Sequence, residues 1–259
     1  VKPAAFAFTE AGTLPLASAA MLQGARPMAG GQSLGPMLNL RVAQPASLVG
    51  LARLDALRGA SETATHILIG AGVTHARIED GETPDIGPKI LAGIAANIAY
   101  RAVRNRGTIG GSLCHADPAA DWVTTLLALG AEALVFGQNG ERAIRLSTFF
   151  NGAFRTALAP GEILRAVKIP KFLNGETFGY YKSCRKPGEF AHAMAAVLTG
   201  PNPRIVIGAM GGIPLLLEGD EAASQMVASA LRKHAAELDD VSRHMQLIAV
   251  KRAFERLAA

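Results

Sequence analysis

Apolar positions in this chain fall in short runs divided by glycine, proline and polar clusters, and their spacing alternates between helical and extended periods. Ala4–Phe8 reads as a short strand, and Leu16–Gln23 as a small apolar helix closed by Gly24. Pro27–Ala29 leads into Gly30-Gly31-Gln32-Ser33 and a second short helix, Leu34–Leu40. His66–Ile69 predicts a strand, Ile86–Arg104 a helical stretch, Asp121–Leu129 a helix and Ala131–Phe136 a strand. Gln138-Asn139-Gly140 is a hairpin turn that returns through Arg142–Leu146. Ile163–Ile169 then ends at Pro170. Beyond it, Phe178–Cys184, Met194–Leu198 and Arg204–Ile207 read as successive strands, and Asp220–Ala236 and Val241–Leu257 as helices. Strands followed by helices predict a small α+β unit packed on a mixed α/β one, with the boundary near Pro170–Gly175.

Composition narrows the classes. A chain of 259 residues allows one large domain or two ordinary ones, and 49% hydrophobic against 18% charged residues excludes a disordered chain. The formal charge of +5 is spread along the sequence, which gives nucleic-acid binding little support. The longest apolar run, Val123–Phe136, is interrupted by Thr124, Thr125 and Glu132 and falls short of the roughly 18 residues a bilayer span needs. Val1–Ala4 lacks a signal-peptide core, so no membrane insertion and a cytoplasmic location are expected. The 2 cysteines, Cys114 and Cys184, cannot build a disulfide framework, a four-cysteine zinc site or a cysteine-ligated iron–sulfur cluster. Any metal chemistry must sit elsewhere.

Two stretches imitate a dinucleotide fingerprint. Gly70-Ala71-Gly72 follows a strand, but His75 occupies the closing position, and Gly81 and Pro84 interrupt the helix a crossover needs. Gly208-Ala209-Met210-Gly211-Gly212 is cut short by Pro214. Stronger signals lie at Ala29-Gly30-Gly31-Gln32-Ser33-Leu34 and Thr108-Ile109-Gly110-Gly111-Ser112-Leu113. Paired glycines let consecutive backbone N–H groups converge on an anion, and each turn precedes a predicted helix whose N-terminus adds to the field. Two such nests in one domain could grip a diphosphate from both sides. His115 has no second ligand at metal spacing, and His66, His75, His192, His234 and His244 form no catalytic constellation; neither a metal site nor a catalytic residue is expected. Arg101, Arg104 and Arg106 are either a solvated helix face or a patch toward partner subunits, and Met21, Met28 and Met37 read as core fillers.

Four motifs in order, Ala29–Leu34, Arg104–Gly111, Ala116-Asp117-Pro118-Ala119-Ala120-Asp121 and Lys182-Ser183-Cys184-Arg185-Lys186, resemble the FAD-binding medium subunit of molybdenum hydroxylases, the xanthine dehydrogenase and carbon monoxide dehydrogenase group. The resemblance runs from Pro3 to about Gly212. It implies an α+β fold: a two-part FAD-binding domain over residues 1–172, with parts at 1–55 and 56–172, and a C-terminal domain over 173–259 with an antiparallel sheet and terminal helices.

It further implies that main-chain amides of Ala29, Gly30, Gly31, Gln32 and Ser33, with Leu34 alongside, wrap the FAD diphosphate, and that Thr108, Gly110, Gly111 and Ser112 form the second loop. Ser112 stands where the family usually has Asn; its hydroxyl can still donate one hydrogen bond, but with a shorter reach. Asp121 is implied on the sugar or adenosine side, with Asp117 as the second acidic candidate; as a bland alternative, Asp121 caps the helix it begins. Ile163 and Leu164 match flavin-lining positions or are plain core, and Lys182 matches a lysine at the pyrimidine edge, where a positive charge would favour the reduced ring. The implied complex adds a large subunit with the molybdenum cofactor and a small subunit with two [2Fe–2S] clusters, as a dimer of heterotrimers, handing electrons through FAD to NAD, dioxygen or a quinone-like carrier. Rival readings are a stand-alone FAD-dependent reductase of the same fold and a nonenzymatic nucleotide-binding module. Both cysteines read as structural thiols.

Overall fold

The computed structural model describes residues 2–257. Strand β1 (Ala7–Glu10), helix α1 (Leu14–Leu22), β2 (Arg26–Met28), α2 (Leu34–Asn39) and β3 (Ser47–Gly50) form the first unit. Its sheet has the order β1-β3-β2, with both pairings parallel. The first strand therefore lies later than Ala4–Phe8, because its register is set by β3, which the local pattern did not announce. Thr13 caps α1 through its side chain, and Pro15 fits the helix's first turn.

The second unit is an antiparallel sheet of β4 (Ala60–Glu62), β5 (His66–Gly70), β6 (Glu132–Gly137), β7 (Gly140–Arg145) and β10 (Ile163–Pro170), in the order β4-β5-β10-β6-β7. Between β5 and β6 the chain makes helices α3 (His75–Glu79), α4 (Ile90–Ala96), α5 (Arg101–Arg104), α6 (Ile109–His115) and α7 (Asp121–Ala128). Helix α8 (Leu146–Phe149) and a small hairpin, β8 (Phe150–Gly152) and β9 (Arg155–Thr156), precede β10. The single helix expected over 86–104 is two. The carboxylate of Asp85 accepts from the N–H groups of Leu91 and Ala92 at 2.9 and 3.1 Å, which starts α4 beyond Gly87-Pro88. Ala99, at φ 44°, then separates α4 from α5. Neither dinucleotide look-alike makes a parallel crossover, since β5 and the strand Arg204–Gly208 each pair antiparallel on both sides.

The third unit is an antiparallel sheet in the order β11-β12-β13-β14, of β11 (Thr177–Ser183), β12 (Ala193–Thr199), β13 (Arg204–Gly208) and β14 (Leu215–Glu218). It is followed by α9 (Val227–His234) and α10 (Asp240–Phe254). The helix expected from Asp220 begins only at Val227, after two short 3-10 turns, and β14 was not foreseen. Strand β12 is buried on both faces: Ala196 and Leu198 join the main core with α7, whereas Ala193, Ala195 and Val197 meet Ala249, Val250 and Ala253 of α10. Its small side chains let both helices approach. Gly179 admits α10 against β11, because a Cβ there would overlap the carbonyl of Ala253.

Candidate functional site

The first glycine loop links β2 to α2. Gly31 takes φ 72°, a left-handed conformation that costs glycine little. The side-chain amide of Gln32 donates to Gly30 O at 3.2 Å and holds the turn. None of the backbone N–H groups from Ala29 to Leu34 meets an acceptor among the described residues. Gly30 lies so close to the Arg106 carbonyl that a Cβ would overlap it. The two glycine motifs are therefore packed on each other, and Gly111 extends the contact toward Ala29.

The second motif has a different local structure from the turn expected of it. Gly110 and Gly111 lie in the first turn of α6, capped by Thr108, whose hydroxyl accepts from Gly111 N–H at 3.0 Å. Ile109 N–H donates to Val73 O at 3.1 Å, Gly110 N–H to Ala71 O at 3.0 Å and Ser112 N–H to Thr108 O at 3.0 Å. These amides already have acceptors inside the protein, so only the first motif presents an open run. Gly110 instead allows Ala71 to sit where its side chain would be, and Gly107 does the same for the His75 ring. Thr108 three positions before Gly111 was the missed sign of a helix start.

Asp121, the first residue of α7, does not cap it; Ala120 is the capping residue. Its carboxylate instead accepts from Tyr180 Oη–H at 2.7 Å and from Lys182 Nζ at 3.1 Å to each oxygen. The ammonium also donates to Asn97 O at 3.2 Å. Tyr180 and Lys182 share one face of β11 by strand alternation, and the Lys182 and Asp121 side chains are only 7% and 6% exposed. Burial raises the Asp121 carboxyl above its usual range, against the opposing pull of Lys182 and Tyr180. Burial, then the Asp121 charge, holds the Tyr180 hydroxyl well above 10, so it stays a donor. Asp121 and Lys182, which the resemblance assigns to different parts of the cofactor, meet here as one ion pair in which the lysine's charge is matched. Tyr180, two residues before Lys182, was missed although the alternation pointed to it.

Asp117 is half-exposed and accepts from Ala119 N–H at 2.9 Å. Beside it a cleft of about 210 Å³ is lined by Pro118, Ala119, Phe154, Ala191 and Ala209, among others. Phe154 and Ala209 hold φ of 58° and 56°, and donate their N–H groups to Ala116 O and Pro118 O at 2.8 and 2.9 Å. These left-handed residues grip the α6–α7 connection from both sides. The half-buried His115 packs against Phe154 with the rings tilted by 53° and their centroids 5.1 Å apart. A larger groove, about 480 Å³ between α9 and α10, contains none of the expected site residues.

Ile163 and Leu164 are each 3% exposed in the main core, on the central strand of the second sheet. Their side chains are packed in that core, the reading the sequence left open beside a flavin-lining role. Arg104 clasps Glu79 at 2.7 and 2.9 Å, and Arg101 pairs with Glu79 at 2.8 Å and with Asp80; they hold α5 to α3. The Arg104 bond draws the Glu79 carboxyl below its usual range. Cys114 is exposed on α6 and Cys184 is partly buried.

An α+β chain with an open run of amides between a strand and a helix, packed on a second glycine motif, is of the nucleotide-cofactor-binding class. This chain belongs to the family of the FAD binding domain in molybdopterin dehydrogenase, whose model matches residues 5–172. It is 34% identical over 242 residues to 6-hydroxypseudooxynicotine dehydrogenase complex subunit alpha of Paenarthrobacter nicotinovorans, covering 90% of this chain and 82% of that protein. It is 35% identical over 219 residues to the carbon monoxide dehydrogenase medium chain of Afipia carboxidovorans, covering 82% and 75%. The fold matches a carbon monoxide dehydrogenase structure from Hydrogenophaga pseudoflava with TM-score 0.87 at 30% identity, over 99% of this chain and 98% of that one. The residues present fit FAD: a diphosphate supplies the anionic oxygens that the amides of Ala29–Leu34 lack, and Gly30 keeps side-chain bulk out of the cradle.

Proposed function

We propose that this chain is the medium subunit of a molybdenum hydroxylase complex, carrying electrons from the [2Fe–2S] clusters of a small subunit through FAD to an external acceptor such as NAD, dioxygen or a quinone-like carrier. A large subunit with the molybdenum cofactor would oxidise the substrate, and the complex would be a dimer of heterotrimers. The observation that carries this reading is the open run of amides at Ala29–Leu34, in a chain that matches medium subunits along most of its length. Bound FAD supplies the exchange between one-electron donors and a two-electron acceptor. The chain's own residues bind and orient. Ala29, Gly30, Gly31, Gln32 and Ser33 would direct N–H groups at the diphosphate, with Leu34 beginning the helix behind them. Thr108, Gly110 and Gly111 would supply the packed wall, and Ser112 a hydroxyl at its edge. Asp121 and Lys182, as one neutral pair backed by Tyr180, would offer hydrogen bonds without a net charge, and Asp117 would bound the cleft between α6 and α7. We keep the division into 1–172 and 173–259, and a cytoplasmic location, as part of the same proposal; no helix among the described residues is long and apolar enough to cross a membrane.

The test is direct. The purified chain should show a flavin absorbance spectrum, release FAD on denaturation, and capture a large and a small subunit in pull-downs. Colourless protein that takes up no FAD on reconstitution would sink the proposal.

A further inference from the structure

His75 is 5% exposed and has no place in the cofactor contacts proposed above. Its Nδ1 accepts a hydrogen bond from the indole Nε1–H of Trp122 at 3.1 Å, which leaves the proton of the neutral ring on Nε2. Its backbone N–H donates to Gly107 O at 2.9 Å. The residue before it, Thr74, bridges to Thr108, and the carbonyls of Val73 and Ala71 take the N–H groups of Ile109 and Gly110. The segment 71–75 thus holds the start of α6 by its main chain. The imidazole lies against Gly107 so closely that a Cβ there would come within 2.9 Å of Cδ2.

Trp122 is fully buried and directly follows Asp121. One side-chain hydrogen bond therefore joins the residues that fix the second glycine motif to the residue next to the Asp121–Lys182 pair. The covalent route between the same two places is the connection after α6, where Ala116 is left-handed at φ 51° and Asp117 is half-exposed. That connection is held to Phe154 and Ala209 through the carbonyls of Ala116 and Pro118, whereas the His75–Trp122 bond ties α7 directly to the 71–75 segment.

We infer that His75 is a positioning residue for the cofactor: through Trp122 it sets the spacing between the Thr108–Gly111 motif and the Asp121–Lys182 pair, so that both address the same bound molecule. This rests on the reading of the chain as an FAD-binding subunit. The role needs an acceptor at the place of Nδ1, which leucine lacks and the side-chain oxygen of asparagine restores.

The test titrates FAD into the full-length apo-chain and follows the flavin's fluorescence and its visible circular dichroism. His75→Leu and Trp122→Phe should each weaken FAD by about tenfold or more and alter the visible dichroism. His75→Asn should bind within about threefold of the parent. The double variant His75→Leu/Trp122→Phe should be no weaker than the worse single one, because both remove the same bond. If His75→Leu does not fold, Trp122→Phe and His75→Asn decide the matter alone. Variants that melt earlier but bind FAD with parental affinity and dichroism overturn the inference, as does failure of His75→Asn to recover binding. A parent chain that takes up no FAD overturns the underlying reading and this inference with it, whereas a parent that binds FAD as well as every variant does overturns the inference alone.

Discussion

Gly30 sits directly on the main-chain carbonyl of Arg106, so two glycine motifs far apart in sequence share one packed surface. A methyl group at Gly30 has nowhere to go, because the obstacle is backbone rather than a flexible side chain. Gly30→Ala should therefore separate the loops and weaken FAD by about tenfold or more, with a lower melting temperature. Gly12, which has open space around its Cβ position and no left-handed φ, is the control: Gly12→Ala should match the parent in both. Reconstitution with FAD followed by fluorescence titration checks the pair, and equal affinity in Gly30→Ala refutes the role given to the contact.

The Asp121–Lys182 pair is enclosed, and removing one partner leaves the other charge uncompensated. Lys182→Met should cost about 3–5 kcal/mol of folding stability, read from urea unfolding at neutral pH. Lys182→Met/Asp121→Asn should recover much of that loss, since no buried charge is then stranded. A Lys182→Met protein as stable as the parent would mean that water reaches the carboxylate.

Burial holds the His75 imidazole down at about 4 from an ordinary 6.5, with the charge of Arg104 acting in the same direction. At pH 7 both folded and unfolded forms are neutral there, and the full stability is present. As pH falls from 6.5 toward 4 the unfolded chain takes up a proton that the folded one refuses, so stability drops, by on the order of 3 kcal/mol. Below about 4 this contribution levels off. His75→Asn should lack this part of the acid sensitivity. Comparing the parent and His75→Asn by chemical denaturation at pH 7, 5.5 and 4 isolates it from the carboxylates, and parallel curves would disprove the assignment.

Leu164 matches a ring-lining position by resemblance, and its side chain is packed in the main core. Leu164→Ala should cost about 2–5 kcal/mol through lost burial and the cavity left behind, while FAD affinity in the folded protein stays within about twofold. Isothermal titration and thermal melts together separate the outcomes. A large loss of affinity with little loss of stability would return Leu164 to the site.

The sequence alone determined the class of chain. The alternation of apolar runs gave mixed helix and strand, and the paired glycines at Gly30-Gly31 and Gly110-Gly111 marked where the backbone must be approached closely, because absence of a Cβ is a property of the residue itself. Helix α1 was legible from its apolar run and Gly24, although its start at Leu14, set by Thr13 and Pro15, was read two residues late. Three-residue strands such as β2 were less so, since their pairing with a distant partner rather than their own composition makes them strands. Tertiary structure alone decided which amides are open and which are taken. Identical glycine pairs differ because the carbonyls of Ala71 and Val73, brought in by β5, satisfy one motif and nothing satisfies the other among the described residues. It also decided that Asp121 meets Lys182 and Tyr180, and that His75 meets Trp122. A buried charge or imidazole must have a partner, but the identity of that partner depends on packing between elements far apart in the chain.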